Sequence, residues 1–211
     1  MIIGITGLKS SGKDTTGDLI CSIDPLFKKE SFANILKDMV AILFGWDRGA
    51  LQGSTEKSRA WREQPDEFWS KKLGREYTPR KALQELGTDV FRNHFFQDIW
   101  VAALEKKLGS SKGNYVITDV RFPNEIDMIK QLGGKIIRVE RGTLPSWFNE
   151  ASNYNLFGGQ QPEELNNVHP SEWKWIGVDE PDFIFKNNGT ISDLGKQVCD
   201  MFLELGNVGN Q

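Results

Sequence analysis

Short apolar, β-branched runs alternate along this chain with stretches whose apolar residues recur every three or four positions. That alternation is the pattern of a parallel sheet with crossover helices. Strands are predicted at residues 2–6, 28–32, 115–118, 135–140 and 182–186, of which Tyr115-Val116-Ile117-Thr118 and Ile136-Ile137-Arg138-Val139 read most clearly after the first. Pro123 opens a helix at its tolerated first position, Ile126, Ile129 and Leu132 form its stripe, and Gly133-Gly134 closes it. Phe96, Ile99, Trp100, Ala103 and Leu104 make a second apolar face at helical spacing. Thr190 and Asp193 resemble a capping box ahead of Leu194, Val198 and Phe202, and residues 206–211 read as a frayed tail.

Two polar stretches interrupt the alternation. Residues 45–78 carry Trp46, Trp61 and Trp69 among Arg and Lys; residues 142–180 are rich in Asn, Gln, Pro and Gly and hold Trp147, Trp173 and Trp175. The plain alternative is a structural excursion or a poorly ordered loop, but disordered segments are poor in aromatics, so a mobile lobe over the active site is expected.

The chemistry begins at the first strand. Met1–Ile5 leads into Gly7-Leu8-Lys9-Ser10-Ser11-Gly12-Lys13, a phosphate-binding loop in all but its last position. Its glycines let successive N–H groups face one concavity, Lys13 adds a charge for β- and γ-phosphates, and the following helix presents its N-terminus to the same anion. The chain is therefore expected to bind a nucleoside triphosphate and to move its terminal phosphate. Where the usual loop has a Ser or Thr for Mg²⁺ this chain has Asp14, which leaves Asp14, Thr15 and Thr16 all open as ligands.

Asp119 follows the strand ending at Thr118, where a second carboxylate would reach the same Mg²⁺, and Arg121 stands two residues on. Read in isolation, Asp119 could only cap the helix begun at Pro123; in an open parallel sheet, however, ligands lie beyond the carboxyl ends of the strands, which aims this segment and the loop at one crevice. Between them runs a helix with Arg80, Gln84 and either Gly87 or Thr88 on one face, while Ala82, Leu83 and Leu86 turn inward. That face joins a guanidinium suited to phosphate with an amide suited to a base edge, although such a face is more often merely solvated.

Bulk properties narrow the classes. A formal net charge of −3 over 211 residues argues against a dedicated nucleic-acid binder. No apolar run is long enough to span a bilayer, and the start of the chain is a core strand without signal-peptide features, so a cytoplasmic place is expected. Cys21 and Cys199 fall in predicted helices and are expected to be buried free thiols.

Taken in order, the loop from Gly7 to Thr16, Ser31-Phe32-Ala33 with Leu36-Lys37, Leu83–Asp89 with Trp100, Asp119-Val120-Arg121, His169-Pro170-Ser171-Glu172 and Asn187-Asn188-Gly189-Thr190 resemble the bacteriophage deoxynucleoside monophosphate kinases. The resemblance runs from Met1 to about Leu205, and Asp14 is similar to that family's loop. It implies a P-loop NTPase three-layer α/β fold of the adenylate-kinase-like kind, with core residues 1–32, 101–141 and 181–205, a monophosphate-binding lobe at about 33–100 and a lid at about 142–175. It further implies that ATP is held by Gly7, Lys9, Ser11, Gly12, Lys13, Asp14, Thr15 and Thr16, with Asn187 and Gly189 near the adenine, and that Asp14 and Asp119 organise Mg²⁺. By the same resemblance Lys37, Arg80, Gln84, Thr88, Arg92 and Arg121 bind the deoxynucleoside monophosphate, Arg141 neutralises phosphate charge beside Lys13, Arg121 and Asp119, and His169 is a further candidate.

A nucleoside monophosphate is already an anionic nucleophile, so no general base is required, which suits a chain with two histidines. Another small-molecule P-loop kinase, acting on phosphomevalonate, dephospho-coenzyme A or a nucleoside, is the nearest alternative. A nucleotide-dependent switch is the second, although no Asn-Lys-x-Asp guanine-reading motif occurs. Exposed aromatics in the insertions leave a homodimer face open.

Overall fold

Ile2–Thr6 and Asn114–Ile117 are largely apolar and buried on both faces, as the middle of a covered parallel sheet demands, whereas the edge strand Phe27–Glu30 reads Phe-Lys-Lys-Glu and buries only Phe27. The computed structural model describes residues 1–110, 113–178 and 180–208. They fall into two compact units, Met1–Ser31 together with the chain from Leu108 onward, and Phe32–Lys107.

The first unit holds the sheet. Its strands β1 (Ile2–Thr6), β2 (Phe27–Glu30), β3 (Asn114–Ile117), β4 (Lys135–Glu140) and β5 (Phe183–Lys186) are all parallel, in the order β2-β3-β1-β4-β5. β1 is central, with Ile3 beside Val116 on one side and Lys135 on the other. Its odd residues Ile3 and Ile5 meet Ile20 of α1 (Lys13–Ile23) and Leu194, Val198 and Met201 of the last helix, Ile191–Val208. Its even residue Gly4 faces the helix Pro123–Gln131: a Cβ there would lie 2.6 Å from Ile129 Cδ1. Helices thus cover both faces, in three layers.

Residues 142–175 are ordered around a small core of their own. The rings of Phe148 and Trp175 lie 6.1 Å apart, those of Tyr154 and Trp173 5.8 Å apart, and Asn155 Nδ2 donates to the carbonyls of Trp173 and Ile176, both at 2.8 Å. This core carries a single helical turn, Pro170–Trp173.

The second unit is helical. Helices α2 (Ala33–Phe44), α3 (Arg48–Gln52), α4 (Glu56–Glu63), α5 (Glu67–Leu73) and α6 (Pro79–Gln84) are short, and the side chains of Asp47, Thr55, Asp66 and Thr78 cap the last four. The tryptophans of the polar stretch 45–78 form an aromatic cluster: Trp46 stacks on Phe44 at 4.4 Å, Trp69 meets the same ring edge-on at 4.9 Å, and Trp61 meets Trp46 at 6.2 Å. Helix α6 widens to π pitch over Glu85–Phe95, then α7 (Ile99–Gly109) follows.

In chain order the remaining helices are α8 (Pro123–Gln131), α9 (Phe148–Phe157), α10 (Pro170–Trp173) and α11 (Ile191–Val208). No described helix is long and apolar enough to cross a membrane.

Several local expectations need correction. The second strand ends at Glu30, because the chain turns into α2 after Ser31. Phe96 is extended and half exposed, so the second apolar helix begins at Ile99. Helix α11 runs to Val208 and so takes in part of the expected frayed tail, while 209–211 lie outside the described residues. Cys199 is exposed because it falls on the outer side of α11; Cys21 is half-buried beside the core.

Candidate active site

The loop between β1 and α1 can close only on backbone that side chains would obstruct. Gly7 has φ 148°, and a Cβ there would lie 2.4 Å from the Val139 carbonyl oxygen; Gly12 has φ 105°, and a Cβ would lie 2.3 Å from Asn187 Nδ2. Ser10 also adopts positive φ, 64°. Positive φ at such positions is the backbone form by which a loop can aim N–H groups at an anion. Ser11 Oγ is buried within the loop and has no hydrogen-bond partner among the described residues, so the cradle holds an unused donor at its wall.

Lys13 opens α1 and folds over the loop: Nζ donates to the carbonyl oxygens of Gly7 at 2.7 Å and Leu8 at 2.8 Å. Only 8% of it is exposed, and burial, helped by the nearby Arg121 charge, lowers its pKa from 10.5 to about 8 against the opposing pull of Glu172, Asp14 and Asp119. An incoming anion would repair that loss of solvation.

Asp14 is exposed at the start of α1. Its Oδ1 accepts from Thr118 Oγ1 at 3.0 Å and pairs with Lys29 at 3.1 Å. Burial acts to raise its pKa, but Lys29 and Thr118 outweigh it and hold the carboxyl below its ordinary value. Thr15 is exposed, whereas Thr16 is fully buried and donates to the Gly12 carbonyl at 3.0 Å. Asp119, half-buried, follows the end of β3. Among the described residues no three His, Cys, Asp or Glu side chains form a metal site unaided. Two carboxylates beside a phosphate cradle nevertheless suit Mg²⁺, a hard ion that takes one or two carboxylates and completes its shell with phosphate oxygens and water.

Arg121 is positioned from both sides. Glu125, at the third position of α8 and buried, accepts from the Arg121 and Phe122 backbone N–H groups at 2.7 and 3.2 Å. The guanidinium donates to Glu172 Oε1 at 2.6 Å and, more weakly, to the Ser171 carbonyl at 3.4 Å. Glu172 also reaches the loop itself, Oε2 accepting from the Lys9 backbone N–H at 2.9 Å while the Lys9 residue remains exposed.

Around the rim, Asn187 joins β5 to the loop: its N–H donates to the Glu140 carbonyl at 2.7 Å and Nδ2 to the Ser11 carbonyl at 2.8 Å. Gly189 lies in the turn that the Thr190–Asp193 capping box closes. Arg141 is exposed directly after β4, next to Glu140, which is buried and held by Arg138 and Lys186. His169 caps α10, accepting from the Ser171 N–H at 3.2 Å.

The first unit thus brings together the loop residues Gly7, Lys9, Ser11, Gly12, Lys13 and Asp14 with Asp119, Arg121 and Asn187. Thr15, Thr16, Arg141, His169 and Gly189 belong to the same unit, whereas Lys37, Arg80, Gln84, Thr88 and Arg92 sit in the second. Lys37 on α2 donates to Gln52 Oε1 at 3.3 Å, Arg80 on α6 pairs with Glu63, and Gln84 and Thr88 are exposed. Of the two residues open at the end of that helical face, Thr88 points outward, and Gly87 is buried against Leu36, where a Cβ would lie 2.7 Å away. Arg92 is half-buried on the π-pitched stretch.

Glu125, Thr118 and Lys29 were not singled out by sequence reasoning. Glu125 was legible as the acidic third residue of a helix opened by proline; Thr118 and Lys29 carry no local signal, since their partner Asp14 is distant in sequence.

Residues 54–149 match the family model described as deoxynucleotide monophosphate kinase. The chain is 32% identical, over 94% of both chains, to a protein of Acanthamoeba polyphaga mimivirus named as a deoxynucleotide monophosphate kinase. It is 40% identical to the deoxynucleoside-5'-monophosphate kinase of Escherichia phage T5, over 45% of this chain and 34% of that one. Against the deoxynucleotide monophosphate kinase of Enterobacteria phage T4 it is 24% identical over 58% of this chain and 44% of that one. With a loop built to cradle phosphate at the carboxyl edge of a parallel sheet, and a relative matched over nearly its whole length, this chain belongs to the deoxynucleotide monophosphate kinase family.

Proposed function

We propose that this protein transfers the γ-phosphate of ATP to deoxynucleoside 5'-monophosphates, giving ADP and the deoxynucleoside diphosphate. The observation that carries the reading is the cradle itself: Gly7 and Gly12 hold conformations that leave no room for a Cβ, around a buried lysine whose ammonium donates to the Gly7 and Leu8 carbonyls and whose pKa burial lowers to about 8.

In this reading an oxygen of the acceptor's phosphate attacks the γ-phosphorus and the bond to the β–γ bridging oxygen breaks. The acceptor is already anionic, so the protein's part is positioning and charge neutralisation. Lys13 and the loop N–H groups bind the ATP phosphates; Arg121 and Arg141 take up charge between donor and acceptor. Asp14 and Asp119 would hold Mg²⁺, which supplies charge neutralisation at the phosphate oxygens. The Phe32–Lys107 unit carries the acceptor through Lys37, Arg80, Gln84, Thr88 and Arg92, residues 142–175 exclude water, and the Asn187–Gly189 turn borders the adenine.

The test is ADP release from Mg-ATP in the presence of each of the four dNMPs, each of the four NMPs, or no acceptor. Stimulation by a subset of dNMPs is expected and identifies the bases taken. ATP binding without stimulation by any nucleotide would overturn the reading.

A further inference from the structure

Glu172 has no part in the mechanism above, yet its carboxylate stands where the anion-binding groups of the first unit converge. One oxygen takes the Lys9 N–H of the phosphate loop at 2.9 Å, the other takes the Arg121 guanidinium at 2.6 Å, and its charge acts on the Lys13 ammonium. A loop N–H, a guanidinium and an ammonium are the donors that a phosphoryl group recruits. The carboxylate is supplied by α10, a single turn held from behind: Trp173, the next residue, is buried and donates from Nε1 to the Val168 carbonyl at 3.1 Å, and its own carbonyl takes Asn155 Nδ2. Residue 172 is therefore presented to the loop by a small independent core, 163 positions along the chain from Lys9.

Building on the phosphoryl-transfer reading, we propose that Glu172 is an internal stand-in for phosphate: it occupies part of the phosphate-binding set and restrains Arg121 until nucleotide displaces it. Two consequences follow from competition for shared donors. The loop in its resting state is only fractionally competent, so the apparent affinity for ATP is lower than the intrinsic one. Entry of the ATP phosphates takes the Lys9 N–H from Glu172, loosens its hold on Arg121 and frees that guanidinium for the acceptor. Donor and acceptor binding are then positively coupled, and the coupling is reciprocal.

Glu172→Gln keeps the size of the side chain and an oxygen for the Lys9 N–H while removing the charge. Binding of Mg-ATP without acceptor, measured by titration calorimetry, is expected to tighten roughly threefold to tenfold in this variant, as the competent fraction rises. The gain in acceptor affinity that Mg-ATP confers on the parent protein is expected to shrink. An ion pair with a purely structural role would leave Mg-ATP affinity unchanged or weaken it, and either result overturns the proposal. Hydrogen exchange on the parent protein gives a second readout that needs no variant: Mg-ATP should protect the loop amides of residues 9–16 while exchange at residues 171–174 quickens. Protection of both segments overturns the proposal. Parent protein that binds Mg-ATP beside a variant with unaltered affinity refutes the stand-in role alone, whereas folded parent and variant that both fail to bind Mg-ATP refute the phosphoryl-transfer reading together with it.

Discussion

The side-chain amide of Asn187 donates to the Ser11 carbonyl at 2.8 Å, tying the turn after β5 to the phosphate loop after β1 across 176 positions of sequence. The contact uses a loop carbonyl and none of the loop N–H groups, so it braces the cradle without drawing on its donors. Asn187→Ala should therefore cost about 1 kcal/mol of stability, the net worth of one such bond, in urea unfolding. In titration calorimetry the same variant should bind Mg-ATP several-fold more weakly, as the loop loses its preorganised form.

Gly7 stands at a position where two independent objections to a side chain coincide. Its φ of 148° is one that L residues rarely adopt, and a Cβ would lie 2.4 Å from a backbone oxygen of β4, which has no freedom to retreat. Gly7→Ala should lower stability by about 2 kcal/mol or more and abolish detectable Mg-ATP binding. A variant with parental unfolding midpoint and affinity would show that the loop relaxes away from this geometry.

Lys13 predicts a pH signature. Its pKa is about 8 in the folded chain against 10.5 ordinarily, so between those values the unfolded chain binds more protons, and the lysine's contribution makes the nucleotide-free protein more stable as pH rises through that window. Phosphate oxygens beside the ammonium reverse the burial effect and pull the pKa back up. Binding of Mg-ATP near pH 8 is accordingly expected to take up protons, measurable as a dependence of the calorimetric enthalpy on buffer ionisation. Lys13→Met should remove that uptake and reduce turnover by about 10²-fold or more while the fold persists.

Arg121 is anchored through its own backbone by Glu125, and its guanidinium donates to Glu172 and to the Ser171 carbonyl. Truncation should spare the loop and act on the acceptor. Arg121→Ala is expected to raise the acceptor KM by about tenfold or more and to move the Mg-ATP dissociation constant by much less. Equal shifts in the two constants would remove its assignment to the acceptor.

How far the sequence reaches can be seen element by element. All five strands were legible within two residues of their ends; for the central ones the reason is that a strand buried on both faces is a near-continuous apolar run, which needs no distant information. The phosphate loop and the starts of α8 and α11 were legible for the same reason: the groups that meet are within a few residues of one another. The π pitch over Glu85–Phe95 was not, and it displaced the helical face expected to continue from Arg80 and Gln84.

Residue order along the chain was thus enough for the central strands and the glycine-bearing turn after β1, which rest on short-range periodicity and backbone sterics, while the order of the motifs carried the resemblance to the family. Folding alone decided that Asp14 would face Lys29 and Thr118, that Asn187 would brace Ser11, and that Glu172 would settle on Lys9 and Arg121. Those are electrostatic and hydrogen-bond contacts between segments 15 to 176 residues apart, and no local pattern encodes which polar side chain a distant turn will deliver to a given N–H.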